Sequence, residues 1–224
     1  SDPLLIEMQN HSKGAKIYYT TDGTEPNINS SLYEKPFTIE KTSSFLSKAI
    51  HPDHGESATI ESHFYKIDKS KSLSLKNAYS PLYSAGGDLA LIDQVRGNEN
   101  FKTGTWQGFY GVDLEAILDF GFAKPIHEIS ISCIQDIYSW IFMPDKVLFY
   151  TSSDGVTWQV MGVSINDIDE KHQGGIIKNF KAKVKSTRQA RYVKVIAKSS
   201  GPCPEWHVGA GNKSWIFADE IVVR

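Results

Sequence analysis

The chain has 224 residues, with 24 basic and 26 acidic side chains and a formal net charge of -2. This length predicts one or two domains. The balanced charge shows no basic stripe, which argues against nucleic acid as a partner. No apolar run approaches the roughly 20 residues that cross a bilayer. The abrupt start at Ser1-Asp2-Pro3 is what we expect of an excised fragment, so a missing signal peptide says nothing about location.

Short alternating runs bounded by turn residues dominate the chain, which predicts an all-β protein. Within residues 1–67 the alternation predicts strands at 4–8, 15–20, 36–39, 44–50 and 62–67. Asp22-Gly23 favours a tight turn, and Pro26 ends any strand. Several strands in so short a stretch predict a small immunoglobulin- or fibronectin-like sandwich.

Residues 68–77 are polar and are predicted to join two domains, although part of them could form the first strand of the second. Residues 78–224 form that second domain. Its predicted strands are 114–121, 127–134, 177–184, 190–199 and 215–223, with a hairpin over 146–162 that turns at Asp154-Gly155. About eight antiparallel strands are typical of a jelly-roll sandwich.

The last predicted strand, 215–223, carries two carboxylates in apolar company. Alternation places Asp219 on one face and Glu220 on the other. Both faces are otherwise apolar, so at least one acid should be buried, and a buried carboxylate needs a partner such as a cation. The alternatives are a bulge at this point or a pair with an arginine.

The loop 93–106 is rich in oxygen-bearing residues and glycines. Calcium takes six to eight oxygen ligands, many of them carbonyls of irregular loops. If this loop faces Ala218 and Glu220, it could complete a calcium site. It lacks the spaced acids of an EF-hand, and loops of this composition are common in β proteins.

Two aromatic segments predict a sugar-binding surface. Trp206 and His207 lie in a glycine-rich run, and Gln135, Asp136 and Trp140 directly follow a predicted strand. Sugars are bound by aromatic faces together with polar groups that hold hydroxyls. The alternative is that residues 140–142 fold back as a hydrophobic plug and that the loop aromatics only pack.

The sequence offers little for catalysis. Glycoside hydrolysis needs two positioned carboxylates, and neither such a pair nor a Gly-x-Ser-x-Gly motif is evident. His51 and His54 form the only close histidine pair and fit a solvated loop better than a metal site. Cys133 and Cys203 are either a disulfide or two separate buried thiols, and the sequence does not decide between them.

Two resemblances cover nearly the whole chain. The segment IYYTTDGTEPNINSSLYEKPFTI (17–39) resembles the C-terminal β-sandwich module of family 20 glycoside hydrolases, the β-N-acetylhexosaminidases. Four later stretches resemble a factor V/VIII type C (discoidin-like) domain, also called a family 32 carbohydrate-binding module: 104–121, 147–158, 190–195 and 215–223. Together they resemble the tail of secreted bacteroidete hexosaminidases.

The second resemblance implies an eight-stranded jelly roll with one structural calcium ion. The family's ligand positions match Asp93, the carbonyl of Ala218, and Glu220. Thr105 matches less well, because Gln94 replaces the usual glycine and the loop is longer than in the family. The sugar contacts of the family come from variable end loops, so no ligand motif carries over to single residues here.

These observations predict a non-catalytic carbohydrate-binding region of a secreted β-N-acetylhexosaminidase. The expected ligand is a glycan ending in galactose or N-acetylhexosamine, bound by Trp206, His207, Trp140, Gln135 and Asp136. The catalytic domain of the same parent chain is the expected protein partner. The parent would be secreted, periplasmic or on the cell surface. The alternative function is structural: both sandwiches would pack on the catalytic domain and bind no sugar themselves.

Overall fold

The computed structural model describes residues 3–66 and 70–224. The chain divides into two compact units, Ser1–Lys66 and Ile67–Arg224, next to the predicted end of the first domain at residue 67. Strands dominate both units, so the all-β prediction is confirmed. Among the described residues, no helix has the length and apolar character needed to span a membrane.

The first unit contains seven short strands and a small aromatic core. They are Leu4–Ile6 (β1), Lys16–Thr20 (β2), Ser31–Leu32 (β3), Phe37–Ile39 (β4), Ser43–His51 (β5), Gly55–Glu56 (β6) and Ile60–Phe64 (β7). β1 pairs with β4, while β3, β2, β5 and β6 form a second sheet in which β7 also pairs with β5. Phe45 packs against the rings of Tyr19, Phe37 and Phe64. All five predicted strands are present with shifted ends.

The second unit contains seven strands among its described residues. They are Ser72–Leu75 (β8), Gln107–Tyr110 (β9), Leu114–Gln135 (β10), Lys146–Ser152 (β11), Gln159–Ile165 (β12), Ile176–Lys198 (β13) and Trp215–Val223 (β14). β8 lies inside the predicted junction 68–77 and pairs with β10, so this part of the junction is the first strand of the second unit. Residues 68 and 69 of the junction lie outside the described residues.

Two long strands bend and thereby build both layers of a sandwich. β10 covers two predicted strands, 114–121 and 127–134, and its pairing with β13 shifts register between Asp119 and Lys124. Its first half lies between β8 and β13, and its second half lies between β13 and β14. Alternate apolar residues from both halves meet in one core that includes Leu118, Ile131 and Phe149. The sequence suggests about eight strands because each bent strand can be counted either as one strand or as two.

Three loops meet at one end of this sandwich, and we call them together the rim surface. Residues 136–145 join β10 to β11, residues 166–175 join β12 to β13, and residues 199–214 join β13 to β14. The end of β10 and the start of β13 are paired at Gln135 and Ile176, and Phe217 near the start of β14 is paired with Ile134. Segments 135–144 and 200–214 therefore lie at the same end of the sandwich, as they must if they are to form one binding surface.

Both cysteines of the second unit are buried and unpaired. Cys133 points from β10 into the main core, and Cys203 packs with Ile137 and Phe142 beneath the rim surface. Of the two alternatives left by the sequence, the structure shows separate thiols. Burial raises the pKa of both thiols, so neither is suited to react as a thiolate.

Candidate sugar-binding surface and carboxylate cluster

A β-bulge in β14 buries both of its acids. Ile221 pairs with Ile131 and Ala218 pairs with Cys133, so β14 has two residues between these pairs where β10 has one. The alternation expected for a regular strand is broken at this point. As a result, Asp219 and Glu220 are both buried, with 2% and 5% of their surfaces exposed. Together with Asp93 they form what we call the carboxylate cluster.

Asp219 is the acid of the cluster that has a cationic partner. The Nη1 group of Arg96 donates to Oδ1 of Asp219 at 3.1 Å, and the backbone N–H of Gly97 donates to Oδ2 at 3.0 Å. Arg96 also donates to the Ser132 hydroxyl at 3.0 Å. Burial raises the pKa of Asp219, and Arg96 and the Gly97 amide oppose that rise. The sequence alternatives of a bulge and of an arginine pair are thus both realised at this residue.

Glu220 and Asp93 are held by backbone amides instead. The N–H of Gln94 donates to Oε2 of Glu220 at 2.9 Å, and the N–H of Val95 donates to Oδ1 of Asp93 at 2.8 Å. Within residues 3–66 and 70–224, no lysine or arginine forms a salt bridge with either acid. Burial raises the pKa of both, and that of Glu220 reaches about 8, with the neighbouring charge of Asp93 contributing.

The donors around Glu220 are suited to a hard cation. Asp93 and Glu220 each keep one carboxylate oxygen outside the hydrogen bonds above, and the adjacent Gln107 has a fully buried amide oxygen with no hydrogen-bond partner in the described structure. Gln107 is paired with Ala218 across the ladder. Such oxygen ligands are those that calcium prefers. The described residues hold no cluster of three or more His, Cys, Asp or Glu side chains suited to a metal, so carbonyl and amide oxygens would have to complete the shell.

Thr105 stands apart from this arrangement. Its hydroxyl shares a hydrogen bond of 3.0 Å with the hydroxyl of Thr103. Among the described contacts, none joins Thr105 to Asp93 or Glu220. The structure therefore brings together three of the four predicted ligand positions. Thr105 is the position that it leaves out, as the altered loop sequence suggests.

Trp206 is an exposed aromatic residue of the rim surface. It keeps 38% of its surface exposed. Its indole Nε1–H donates to Oε1 of Glu170 at 3.0 Å, and the ammonium of Lys171 lies 5.4 Å from the ring centroid. The buried Phe142 and His207 contact the ring in edge-on orientations, at 6.3 and 5.7 Å between centroids. The ring is thus supported from the protein side and open on the solvent side.

His207 does not lie at the rim, and this corrects the prediction that it is exposed beside Trp206. It is only 8% exposed. Its Nδ1 accepts from the N–H of Gly209 at 3.0 Å, so Nε2 carries the hydrogen and donates to the carbonyl of Ile137 at 2.7 Å. Both ring nitrogens are therefore used inside the protein: Nδ1 within loop 199–214, and Nε2 to connect that loop to loop 136–145.

Gln135 is also buried, and this corrects its predicted role as a direct sugar contact. It is 1% exposed. Its Nε2 donates to the carbonyl of Asp169 at 2.8 Å, and its Oε1 accepts from the N–H of Met143 at 3.4 Å. A buried amide needs such partners. Gln135 therefore connects the end of β10 to loop 166–175, the loop that carries Glu170.

Trp140 and Asp136 are half-buried. Trp140 has a left-handed backbone with φ of 63°, and its ring packs on Gly209, where an added Cβ would lie 2.8 Å from the indole. Ile141 and Phe142 beside it are buried, so this segment is the hydrophobic plug that the sequence offered as an alternative. Asp136 closes the plug through backbone hydrogen bonds with Ile141, and a sugar contact from its side chain stays a prediction.

Sequence reasoning missed the loop that faces Trp206. Glu170 and Lys171 belong to a polar run that looks like any solvated loop, and no signal in the sequence connects them to a tryptophan 36 positions later. Tyr138, by contrast, lies in the segment that directly follows β10 and is 68% exposed. The sequence could have indicated this residue, because it is an aromatic residue that closely follows a predicted strand.

Comparisons with known proteins find one family model and several similar solved structures. A family model described as Fn3 associated matches residues 6–64. No curated protein matches the chain. Among solved structures, it is similar to a family 32 carbohydrate-binding module of NanJ from Clostridium perfringens in complex with galactose, with 15% identity over 69% of this chain and 93% of that one and a TM-score of 0.42.

Two further solved structures show a similar degree of likeness. One is a module named CBM32-1 from a family 31 glycoside hydrolase of Clostridium perfringens, with 17% identity over 70% of this chain and 95% of that one and a TM-score of 0.43. The other is the C-terminal domain of a chitobiase from Bacteroides fragilis, with 21% identity over 72% of this chain and 97% of that one and a TM-score of 0.40.

Proposed function

We propose that the second unit is a non-catalytic carbohydrate-binding module whose ligand stacks on Trp206. The observation that carries this proposal is the ring itself: a large aromatic side chain held open to solvent by buried neighbours. Aromatic faces bind the C–H patches of sugars, and nearby polar groups select among hydroxyls. Glu170 and Lys171 supply a carboxylate and an ammonium beside the ring.

The structural alternative has one observation in its favour. Tyr138 and Val208 on the rim surface are exposed apolar residues, at 68% and 92%, and exposed apolar patches can dock on another domain. Charged residues border Trp206 on the same surface, including Glu205 and Lys171. An open aromatic ring with a charged border suits a hydroxyl-rich ligand better than a dry interface, because charged residues are depleted from interface cores.

A glycan array with the 224-residue chain tests the proposal. Wild type is compared with Trp206→Ala and with Trp158→Ala, a control that removes a different half-buried tryptophan in the loop between β11 and β12. Galactose is the first sugar to be tested, since it is bound in one of the similar structures described above. We expect binding by wild type and the control and none by Trp206→Ala. A folded wild-type chain that binds no glycan would contradict the proposal and favour the docking surface.

We further propose that the carboxylate cluster holds one structural calcium ion. Asp93 and Glu220 would supply the charged oxygens, and the carbonyl of Ala218 would supply a neutral one. The support is a buried pair of acids, Asp93 and Glu220, whose described hydrogen bonds come from backbone amides, together with the family resemblance of these positions. An ion here would fix loop 93–106 against β14. Calcium would act on stability and would take no part in any reaction.

The proposed parent is a secreted β-N-acetylhexosaminidase, in which both units accompany a catalytic domain outside this chain. The support is the resemblance of residues 17–39 and of the later stretches to such tails. In this proposal the chain itself is not an enzyme. Incubation of the purified chain with a chromogenic N-acetylglucosaminide should release no product, and release that survives repurification would contradict the proposal.

A further inference from the structure

We infer that Glu170 is a positioning residue that orders the Trp206 ring for its ligand; this rests on the proposed function. The hydrogen bond from the indole Nε1–H to Oε1 of Glu170 is 3.0 Å long. A tryptophan on an exposed loop has two side-chain torsions to fix before it can stack on a sugar, and freezing a side chain on binding costs affinity. A charge-assisted hydrogen bond to the indole edge fixes both torsions in advance.

The position of Glu170 is itself fixed from the core. Gln135, at the end of β10, donates to the carbonyl of Asp169, the residue before Glu170. The Asp169 side chain then accepts from the N–H of Lys171 at 3.0 Å, which shapes the turn around Glu170. A buried amide in a rigid strand thus holds the loop, and the loop holds the ring. The bonds of Gln135 to Asp169 and of Trp206 to Glu170 join different parts of the chain, and the bond between Lys171 and Asp169 lies within loop 166–175.

This arrangement also determines how a ligand can meet the ring. The indole N–H is already bonded to Glu170, so recognition at Trp206 uses the ring face. The inner side of the ring is supported by the buried Phe142 and His207. The Lys171 ammonium lies over the ring, 5.4 Å from its centroid, where its N–H groups can donate to oxygens of a ligand bound at the ring. The site presents one aromatic face and one cation to a single sugar ring.

The test uses Glu170→Ala, which removes the acceptor, and Glu170→Gln, which keeps an amide oxygen at the same place. Glu205→Ala is the matched control, because it removes an exposed carboxylate adjacent to Trp206 in sequence. The Nε1–H resonance of Trp206, assigned by its loss in Trp206→Phe, is followed in the free protein. We expect it to shift and to exchange faster with water in Glu170→Ala, and to keep its wild-type behaviour in Glu170→Gln and Glu205→Ala.

Binding of the best array glycan is then measured by calorimetry for the same variants. We expect binding to weaken about two- to tenfold in Glu170→Ala, the range set by ordering one side chain, with recovery in Glu170→Gln. Unchanged resonance and affinity in Glu170→Ala would overturn the inference. If wild type binds no glycan, the proposed function fails separately, and a resonance that does not move in Glu170→Ala would overturn the positioning role as well.

Discussion

In both the carboxylate cluster and the rim surface, hydrogen bonds join buried groups to the backbone of a loop, but the results are opposite. In the cluster, backbone amides of loop 93–106 donate to the buried acids Asp219 and Glu220 on β14 and to Asp93 in the loop itself. On the rim surface, the buried side chains of Gln135 and His207 hydrogen-bond loop carbonyls, and the outcome is an exposed ring. The first arrangement holds charged groups inside the protein, and the second holds an aromatic ring at its surface. Substitutions in the cluster should therefore change stability, and those on the rim surface should change binding.

The strongest test of this contrast removes the cation of the cluster. Arg96→Met leaves Asp219 buried without its ionic partner, which typically costs 3–5 kcal/mol. We expect about 3 kcal/mol, the lower end, because the Arg96 side chain is 43% exposed and water can reach the gap. Denaturant unfolding measures the loss, and Arg96→Lys serves as a control that keeps the charge. Glycan binding at temperatures where the variant is folded should equal that of wild type; a loss of binding would break the separation of the two regions.

Calcium tests the other two acids of the cluster. An ion bound to the folded state alone stabilises it by about 2.7 kcal/mol at a hundredfold excess over its Kd. For a unit of this size, that corresponds to a rise in Tm of roughly 5–10 °C. Differential scanning calorimetry should show this rise on adding calcium and its loss on adding a chelator. Glu220→Gln should abolish the response. A Tm that chelation leaves unchanged would mean that the cluster holds no calcium.

Substitution of Gln135 should change both stability and glycan binding, because this residue is buried and also holds loop 166–175 of the rim surface. Gln135→Leu keeps the volume but removes the donor to the Asp169 carbonyl and the acceptor of the Met143 N–H. An unsatisfied buried group costs about 1–3 kcal/mol, and we expect about 1.5 because Asp169 is exposed and its carbonyl can bind water. Chemical unfolding and calorimetric glycan titration together check this variant. Both stability and affinity should fall, whereas loss of stability alone would mean that loop 166–175 does not depend on Gln135.

The fold was readable from the sequence because its signals are local. Alternation in residues such as Val193 and Val195 depends on one strand only, and it located most strands of both units but not the short strands β3, β6 and β9. It failed where two strands run together: the bend of β10 after Asp119 looks like a turn between separate elements. At the register shift the strand continues into the other layer of the sandwich, and the alternation of apolar residues does not show this change.

The site was less readable because its geometry depends on contacts between distant residues. A tryptophan–histidine pair looks like two equivalent ligands, yet Trp206 is open and His207 is buried. Which of them faces solvent is decided by Ile137 and Gly209, which occupy the histidine nitrogens. The burial of both acids in β14 likewise depends on a bulge, and the sequence could offer that bulge only as an alternative. Glu170 carried no signal at all.

The smallest effect is expected at Asp119, an acid whose two carboxylate oxygens are both paired with an arginine and which serves as a reference for the buried acids. Arg191 donates through Nε and Nη2 to both oxygens of Asp119, at 2.7 and 2.8 Å, and this holds the pKa of Asp119 below its usual value. A carboxylate with a lowered pKa in the folded state stabilises it above the unfolded pKa, and the benefit is lost as pH falls through the folded value. Asp119→Asn should therefore lower Tm by a few degrees at pH 7, and the difference from wild type should narrow as the pH falls below about 4. Thermal unfolding of both proteins across pH checks this, and a difference that stays constant with pH would show that packing at the bend, rather than the ion pair, is what the carboxylate contributes.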